Sequence, residues 1–516
     1  MAAVDQKRIA QNTLMLYLRM GLITIISLYT SRVVLDALGK VDYGLYSAVG
    51  GVVTMFTFLS GTMSTACQRF FSFELGKGNL KELQRKFSQS MVVFVLIVAV
   101  VVLLCETLGL WYLENKMKLE GRDVAAHWVF HLSVIGFIFQ LMRTPYMGMV
   151  IAREKMKVFA YISIFEAAGT LTMAFVLKFS GGDKLILYAF CMLGVQILVA
   201  FLYFLYCRLF YAECRLIKCG DRDSFLEVFR FTGWEMIGSL AGVCKSYGIN
   251  PLLLNPFFGP AANAARGIAQ KVYFTIVQLQ TSFFMAVKPQ IIKSYASGAV
   301  QEMVKLLCQS TRLTYYLMLI VAMPLLLETP MILGLWLKAD NVPDMGVVFT
   351  RLMLVNGLID TFSNPLASAV QATGRNKWYQ ICMGLTLLAI LPVGYIGLKF
   401  FDWDAESVFY VSIILSALSQ VIRVIFVKAQ VGMSIRSFIR EVAVVLFIVT
   451  VLSAALPMVL IWQMGVDRTP LQSLVLIAVS VVWTGLVSYF IGITRSERKK
   501  INGVVRDKYR KILCRQ

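Results

Sequence analysis

Basic side chains lie inside apolar segments of this sequence, where a charge is costly. The deepest are Arg19, Arg143, Lys245 and Lys271, and Arg266 lies only slightly nearer the end of its segment. A charge that faces lipid at the centre of a span costs roughly 2.5 to 3.5 kcal/mol, so we expect these side chains to face protein or water. Guanidinium and ammonium groups bind phosphate and carboxylate groups well. The pattern therefore indicates a binding site for an anionic substrate.

Carboxylates at a similar depth are fewer. The main ones are Glu166, Glu235 and Asp360. An acidic residue inside a span either pairs with a cation or binds a coupling ion such as a proton or sodium. Both interpretations stay open here, and Asp360 is the first candidate for coupling because Asn356 and Asn364 share its helix face. Since cations outnumber carboxylates, the balance favours a phosphate or pyrophosphate group as the substrate's anion.

Helical spacing gathers polar residues into stripes. At 100° per residue, one stripe falls within about 40° of a single line along the eighth apolar segment. Its members are Arg266, Gln270, Tyr273, Gln280 and Lys288. The twelfth segment has a second stripe, formed by Ser412, Ser416, Ser419 and Arg423. In a membrane such stripes line a wet cavity or a polar helix contact, and we predict that Gln270 and Tyr273 contact substrate with the basic residues.

The elements that must position these residues are membrane spans. Hydrophobic residues make up 58% of the 516 residues and charged residues 15%, and the mean hydropathy is +0.71, which excludes an ordinary soluble protein. A span needs about twenty mostly apolar residues. We predict an all-α polytopic membrane protein with about 14 transmembrane helices. They lie near 12–36, 43–67, 87–112, 125–151, 156–179, 184–210, 228–254, 262–288, 311–337, 346–372, 377–400, 406–428, 438–463 and 472–494.

The distribution of basic residues predicts the topology. With the N-terminus in the cytoplasm, the inside segments carry 32 Lys and Arg residues and the outside loops carry 9. The positive-inside rule then places both termini in the cytoplasm. The net charge of +21 is therefore explained by topology and by contact with anionic membrane lipids, and we expect no nucleic-acid partner.

An internal repeat organises the chain. At an offset of 220 residues, Gly39 aligns with Gly259, Gly78 with Gly298, Gln89-Ser90 with Gln309-Ser310 and Pro145 with Pro365. Each copy holds six spans, an even number, so we predict two parallel lobes related by a pseudo-twofold axis along the membrane normal. The predicted divisions are an N-lobe at 1–215, a C-lobe at 216–435, two further spans at 436–494 and a basic cytoplasmic tail at 495–516.

Catalytic and metal-binding motifs are not found. The sequence contains no phosphate-binding loop of the G-x-x-x-x-G-K-[ST] type, and His127 and His131 have no acidic partner that would complete a metal site. The ten cysteines include no C-x-x-C motif, which indicates neither a disulfide framework nor a metal site. We therefore expect a protein that is not an enzyme and has no cofactor.

Four stretches resemble a known family. They are LGKVDYGLYSAVGGV after the first span, FGPAANAARGIAQKV entering the eighth, PQIIKSYASG leaving it, and QATGRNKWYQ between the tenth and eleventh. Together with fourteen spans and the repeat, they resemble a bacterial polysaccharide flippase. This is the O-antigen and lipopolysaccharide-biosynthesis branch of the multidrug/oligosaccharidyl-lipid/polysaccharide exporter superfamily.

The resemblance implies a substrate and a mechanism. An undecaprenyl-pyrophosphate-linked oligosaccharide would move from the cytoplasmic to the outer leaflet of the bacterial inner membrane by alternating access. The polysaccharide polymerase machinery is an expected partner. In the related lipid II flippases, arginines of the first, second and eighth spans line the cavity; Arg19 and Arg266 occupy comparable spans here. The second span has no arginine before Arg69, which favours a lipid-linked sugar other than lipid II.

Two alternatives stay open. A multidrug or cation antiporter of the same superfamily would share the repeat, but carboxylates should then dominate its cavity. A membrane glycan polymerase or ligase would be an enzyme and would need a large outer loop with catalytic Arg or His. The longest predicted outside loop, 113–123, has about eleven residues, which weighs against such an enzyme.

Overall fold

The structure is a computed structural model that describes residues 6–54, 56–116, 122–217, 222–243, 245, 250–337, 345–465, 468–494 and 497–498. Every regular element in these ranges is helical, and they contain no strand. The predicted all-α class is confirmed. The described residues form two compact units. The first unit holds Arg8–Leu240 and Ile292–Gly298, and the second holds Ala241–Ile291 and the residues from Ala299 onward.

The described residues before 244 form nine α-helices. They are α1 (Gln6–Thr54), α2 (Thr57–Lys77), α3 (Leu80–Leu104), α4 (Leu110–Lys116), α5 (Asp123–Met142), α6 (Thr144–Ala152), α7 (Met156–Phe179), α8 (Lys184–Phe210) and α9 (Arg222–Val243). A π-helical turn at Cys105–Gly109 joins α3 to α4. Helix α8 packs against α5 and α7, while α2 packs against α3 and α6. These contacts give the first unit its core.

Eleven α-helices follow among the residues that the structure describes. They are α10 (Asn250–Ala296), α11 (Val300–Leu327), α12 (Thr329–Leu337), α13 (Gly346–Asp360), α14 (Ser363–Thr373), α15 (Lys377–Leu388), α16 (Ile390–Phe400), α17 (Ser407–Val431), α18 (Ile435–Phe438), α19 (Val444–Met464) and α20 (Pro470–Val487). Helix α17 is central, because α13, α14, α15 and α16 all pack against it. Helix α20 packs between α19 and α11 and so attaches the last two long helices to this unit.

Nine helical segments in the described part of the chain are long and apolar enough to cross a membrane. They coincide with the predicted spans 3 to 6, 9 and 11 to 14, so the protein is a multi-pass membrane protein. The other predicted spans fall on α1, α2, α9 and α10, which are more polar, and on α13 and α14, which are each too short to cross a membrane alone. The predicted total of fourteen is therefore not confirmed by hydropathy. Of the predicted tail at 495–516, all but residues 497 and 498 lie outside the described residues.

Two predicted span boundaries differ from the helices. Spans 1 and 2 were expected to separate near 37–42, but α1 continues to Thr54 and α2 begins at Thr57. The segment ALGKVD contains one glycine and no proline, so no residue there forces the helix to break. Spans 7 and 8 were expected to separate near 255–261, whereas α10 begins at Asn250 and is continuous to Ala296.

Backbone landmarks recur at the offset of 220 residues. Gly78 and Gly298 have positive φ angles of 73° and 79°, and Glu154 and Gly374 have positive φ angles of 58° and 77°. A non-glycine residue rarely adopts this conformation. The shared conformation at matched positions supports a duplicated chain.

Glu154 keeps this unfavourable conformation beside a charged partner. Its carboxylate accepts a hydrogen bond from Lys293 Nζ at 2.6 Å, and its side chain is 4% exposed. Lys293 belongs to the last turns of α10, which approach Gly76 so closely that a Cβ there would lie 2.7 Å from the Lys293 carbonyl oxygen. The first unit therefore fixes this end of α10 by an ion pair and by a glycine contact.

Candidate functional site

A pocket of about 360 Å³ lies in the second unit, bounded by α10, α13 and α17. Its charged lining residues are Lys245, Asp360 and Arg423. Its uncharged polar lining residues include Gln270, Tyr273, Gln280, Asn356, Asn364 and Ser412. The polar stripes noted on three separate helices thus contribute to one cavity. We call this cavity the C-pocket.

The carboxylate of the C-pocket is bound by a lysine. Lys245 Nζ lies 3.3 Å from Asp360 Oδ2 and donates a hydrogen bond to Ser416 Oγ at 2.7 Å. Asn356, one helical turn before Asp360, donates from Nδ2 to the same Oδ2 at 3.0 Å. Opposite charges at this distance largely cancel at the surface of the cavity. The C-pocket therefore offers no uncompensated negative charge at Asp360.

Small residues and an apolar cluster position this lining. A Cβ on Gly357 would lie 2.6 Å from Met318 Cε and 2.9 Å from the ring of Tyr273, so the glycine lets Tyr273 approach α13. The rings of Phe349 and Phe409 have centroids 4.5 Å apart and join α13 to α17. Both rings belong to a buried cluster that also includes α10 residues such as Ala265 and Ala269. The three helices that form the C-pocket thus share one packed core.

Arg423 is the second cation of the C-pocket. Its guanidinium donates a hydrogen bond to the Tyr379 hydroxyl and lies 5.4 Å from the centre of the Tyr379 ring. The Nε group is buried without a hydrogen-bond partner. Arg423 lies on the predicted polar stripe of the twelfth segment but is not among the residues predicted to bind substrate. Its spacing from Ser412 and Ser419 was the signal that could have identified it.

The other basic residues predicted on α10 lie differently. Arg266 is 7% exposed and donates from Nη2 to Gln270 Oε1 at 3.2 Å, so it lies beside a lining residue without lining the C-pocket itself. Lys271 is exposed, and its Nζ lies 5.8 Å from the ring centre of Trp336. The structure therefore brings Lys245, Gln270, Tyr273 and Asp360 together, with Arg266 adjacent and Lys271 on another face.

A pocket of about 440 Å³ lies in the first unit, and we call it the N-pocket. Arg19, Glu166, Ser163, Thr30, Tyr46 and Tyr188 contribute to its lining. Arg19 Nη1 donates to Ser163 Oγ at 3.4 Å, and its guanidinium lies 4.6 Å from the centre of the Phe159 ring. In the described part of the chain, no carboxylate lies within ion-pair distance of Arg19. This arginine therefore keeps its charge available to the cavity.

The N-pocket carboxylate is also bound by a cation. Arg143 Nη2 lies 3.0 Å from Glu166 Oε1, and Gln196 Nε2 lies 3.5 Å from the same oxygen. Arg143 stands at the break between α5 and α6. Each pocket thus has a carboxylate that is bound by a basic side chain and one further arginine, although Arg143 itself does not line the N-pocket.

Two intramembrane charges lie elsewhere. Glu235 is 4% exposed on α9 and does not line either described pocket. Arg351 donates from Nε to the Leu326 carbonyl at 3.0 Å, at the C-terminal end of α11. Because the last carbonyls of a helix have no partner within the helix, Arg351 has a structural role there.

Comparison with known proteins identifies the family. The family model described as "Polysaccharide biosynthesis protein" matches residues 9–294, more than half of the chain. The chain belongs to the polysaccharide biosynthesis protein family. A second model, MatE, matches residues 249–396 of this family member. No curated protein matches the chain by sequence.

Solved structures similar to this polysaccharide biosynthesis protein are transporters. An outward-facing multidrug resistance MATE family transporter of the MOP superfamily has a TM-score of 0.72 at 11% identity, with 82% of this chain and 95% of that chain covered. A MOP superfamily transporter from Pyrococcus furiosus has a TM-score of 0.69 at 12% identity, covering 82% and 95%. A Vibrio cholerae MATE transporter has a TM-score of 0.65 at 15% identity, covering 83% and 97%.

These likenesses establish the fold of the polysaccharide biosynthesis protein. Together with the two family matches, they identify a MOP superfamily transporter, and these families are transporters and not enzymes. The superfamily predicted from the sequence motifs is therefore confirmed.

Proposed function

We propose that the protein is a flippase for an undecaprenyl-pyrophosphate-linked oligosaccharide. It would carry the lipid-linked glycan from the cytoplasmic to the outer leaflet of the bacterial inner membrane, for O-antigen, lipopolysaccharide or another surface polysaccharide. The observation that carries the proposal is that both pocket carboxylates are already bound by cations. Arg143 binds Glu166 at 3.0 Å, and Lys245 binds Asp360 at 3.3 Å.

This pairing disfavours a cationic substrate. A positively charged drug needs a carboxylate or an aromatic cage that is free to receive it. To reach Glu166 or Asp360 it would have to displace a basic side chain that is tethered in place. An anion instead meets Arg19 in the N-pocket and Arg423 in the C-pocket. The charge arrangement therefore supports an anionic head group such as a pyrophosphate-linked sugar.

The uncharged lining of the C-pocket supports a hydroxyl-rich head group. Amide groups of Gln270, Gln280 and Asn356 can each donate and accept hydrogen bonds. A polar glycan loses its water when it enters a membrane cavity, and unpaired polar groups there are costly. A lining that replaces those hydrogen bonds offsets this cost.

Transport would proceed by alternating access. The two predicted six-helix lobes, 1–215 and 216–435, would expose the bound head group first to one leaflet and then to the other. Both termini would lie in the cytoplasm, and the polyprenyl chain would remain in lipid. The polysaccharide polymerase machinery would receive the product on the outer side.

A coupling ion is a further part of the proposal. Asp360 and Glu166 would bind a proton or sodium ion when their basic partners move away, and Glu235 is a buried third candidate. Ligand contact with Lys245 or Arg143 would weaken the ion pairs and release these carboxylates. Substrate binding and ion binding would then favour each other, because each separates the ion pair that the other must open.

The test uses proteoliposomes that contain the purified protein. A fluorescent polyprenyl-pyrophosphate oligosaccharide is placed in the membrane, and its passage between leaflets is followed by quenching from outside. We expect rapid passage with wild type and at least a tenfold loss with Arg19→Gln, because one charge-assisted contact is worth about 1.5 to 3 kcal/mol. The exposed Arg375→Gln serves as a control with the same change of charge.

The same vesicles test the competing function. Uptake of a fluorescent organic cation is measured under proton and sodium gradients. Cation uptake without glycan passage would contradict the flippase and identify a multidrug antiporter. In cells, deletion of the gene should cause the lipid-linked glycan to accumulate on the cytoplasmic face, and wild type should clear it.

A further inference from the structure

Basic residues outnumber acidic residues in the described lining of the C-pocket. Its described lining contains two cations, Lys245 and Arg423, and one carboxylate, Asp360. Lys245 is committed to Asp360 and to Ser416 by contacts of 3.3 and 2.7 Å. One positive charge, that of Arg423, therefore remains without a counter-charge in the cavity.

Arg423 has only neutral contacts. Its guanidinium meets the hydroxyl and the ring of Tyr379, and no carboxylate of the described chain lies within ion-pair distance of it. Its Nε donor is buried without a partner. A guanidinium is a planar fork of five donors that fits a carboxylate with two parallel hydrogen bonds. The free donor and the uncompensated charge together suit an oxyanion.

The polar lining of the C-pocket suits a sugar bound at Arg423 and the sugars next to it in the glycan. Ser419 lies one helical turn before Arg423 on α17, whereas Ser412 lies about 16 Å away along the same face. On α13, Asn356 has a buried Oδ1 acceptor without a hydrogen-bond partner. Hydroxyl donors of a sugar would satisfy such an acceptor, while sugar oxygens would accept from amide and serine groups.

We propose that the C-pocket binds a carboxylate-bearing sugar residue of the transported glycan, with Arg423 holding the carboxylate. This inference rests on the proposed flippase function and adds the class of sugar. A pyrophosphate carries more than one negative charge and calls for several cations, whereas the C-pocket has a single uncompensated one. One sugar carboxylate matches that charge and leaves the ring to the amide and hydroxyl lining.

The test compares two substrates in proteoliposomes. Both are fluorescent polyprenyl-pyrophosphate disaccharides, one ending in glucuronate and the other in glucose, so they differ only in the carboxylate. Wild type should move the glucuronate substrate faster. In Arg423→Gln the ratio of the two rates should fall about tenfold or more, because the charge-assisted hydrogen bonds are lost. Arg423→Lys keeps the charge but loses the two parallel hydrogen bonds, so it should retain only part of the preference.

Other outcomes overturn the assignment. If wild type moves both substrates equally, the C-pocket does not select a carboxylate. If Arg423→Gln slows both substrates by the same factor, Arg423 serves the shared pyrophosphate or the fold, and the flippase function still stands. If Arg423→Gln does not fold, the test uses the wild-type preference for glucuronate and the variant Tyr379→Phe. Tyr379→Phe keeps the charge of Arg423 but loses the hydroxyl that positions it, so the preference for glucuronate should decrease.

A further measurement distinguishes failure of the flippase function from failure of the carboxylate site. If wild type moves neither lipid substrate, binding is measured on the purified protein with methyl glucuronide and methyl glucoside. Selective thermal stabilisation by the glucuronide, lost in Arg423→Gln, would support the carboxylate subsite without transport of these lipids. Equal or absent stabilisation by both sugars would overturn it.

Discussion

Lys245 Nζ lies 3.3 Å from Asp360 Oδ2, although 115 residues separate the two in the sequence. Their side chains are only 14% and 24% exposed. The lysine follows α9, and the aspartate ends α13. The contact joins two segments of the second unit at the wall of the C-pocket, and it determines which charges a substrate can meet there.

Removal of one charge of this pair should destabilise the protein. In Asp360→Asn the ammonium of Lys245 loses its counter-charge in a poorly solvated site, and we expect a loss of about 2 kcal/mol in the free energy of unfolding. The double variant Lys245→Gln with Asp360→Asn removes both charges and should recover most of this loss. Unfolding in mixed detergent measures all four members of the cycle.

Transport by the double variant then tests ion coupling. A stable double variant that no longer responds to a proton or sodium gradient would support Asp360 as the coupling residue. Unchanged transport would assign the pair to structure alone. A double variant as unstable as Asp360→Asn would contradict the ion pair.

Gly357 should tolerate no side chain. An added Cβ would lie 2.6 Å from Met318 Cε and 2.9 Å from Tyr273, so Gly357→Ala should cost about 1 to 3 kcal/mol and displace Tyr273 from the C-pocket. Gly384→Ala is the matched control in the same unit, because its Cβ would lie 3.8 Å from Ala241. The control should be neutral or slightly stabilising, since alanine favours a helix. Similar unfolding curves for both variants would contradict this account.

Part of this site was predictable from the sequence. The spacing of Gln270, Tyr273 and Gln280 identified one polar helix face, and that of Asn356 and Asp360 identified another. Charges inside apolar segments indicated that such faces do not contact lipid. Helix type and the most apolar spans followed from hydropathy alone, and the offset of 220 residues recurs in the backbone conformation at Gly78 and Gly298.

Other features depend on tertiary contacts that no local pattern encodes. Whether Asp360 is free or paired depends on Lys245, which is distant in sequence, and the environment of Arg423 depends on Tyr379, 44 residues away. The more polar helices α1 and α10 gave misleading boundaries, because polar residues inside a long helix resemble a connection between two spans. Hydropathy measures lipid contact and says little about residues that face a cavity.

Glu154 should respond differently to two substitutions. Its φ of 58° is unfavourable for any side chain, and glycine occupies the matched position, Gly374. Glu154→Gln keeps this cost and loses the charge that binds Lys293, whereas Glu154→Gly loses the charge but relieves the backbone. We expect the glycine variant to be more stable than the glutamine variant by about 0.5 to 1 kcal/mol. A glutamine variant more stable to denaturation than the glycine variant would mean that the positive φ angle at residue 154 has no free-energy cost.

Glu227 should make stability depend on pH. Burial alone would raise its pKa, but hydrogen bonds and charges from Lys86 and Arg69 outweigh burial and lower the pKa below its usual 4.5. A lowered pKa in the folded state adds stability above the unfolded pKa, and this stability is lost as pH falls through the folded pKa. The difference in stability between wild type and Glu227→Gln should therefore disappear when pH decreases below about 4.5. A constant difference between their melting temperatures from pH 7 to pH 3.5 would contradict the assignment.

The pairing of Glu166 with Arg143 and of Asp360 with Lys245 also bears on energy supply. These pairs are neutral and remain with the protein, so in the proposed direction the net charge that crosses the membrane is that of the anionic substrate. With an inside-negative membrane potential, each negative charge that moves outward gains about 2.3 kcal/mol per 100 mV. A pyrophosphate linked to an acidic sugar carries several such charges. The electrical field alone can therefore drive the outward step when both pairs stay closed and bind no coupling ion.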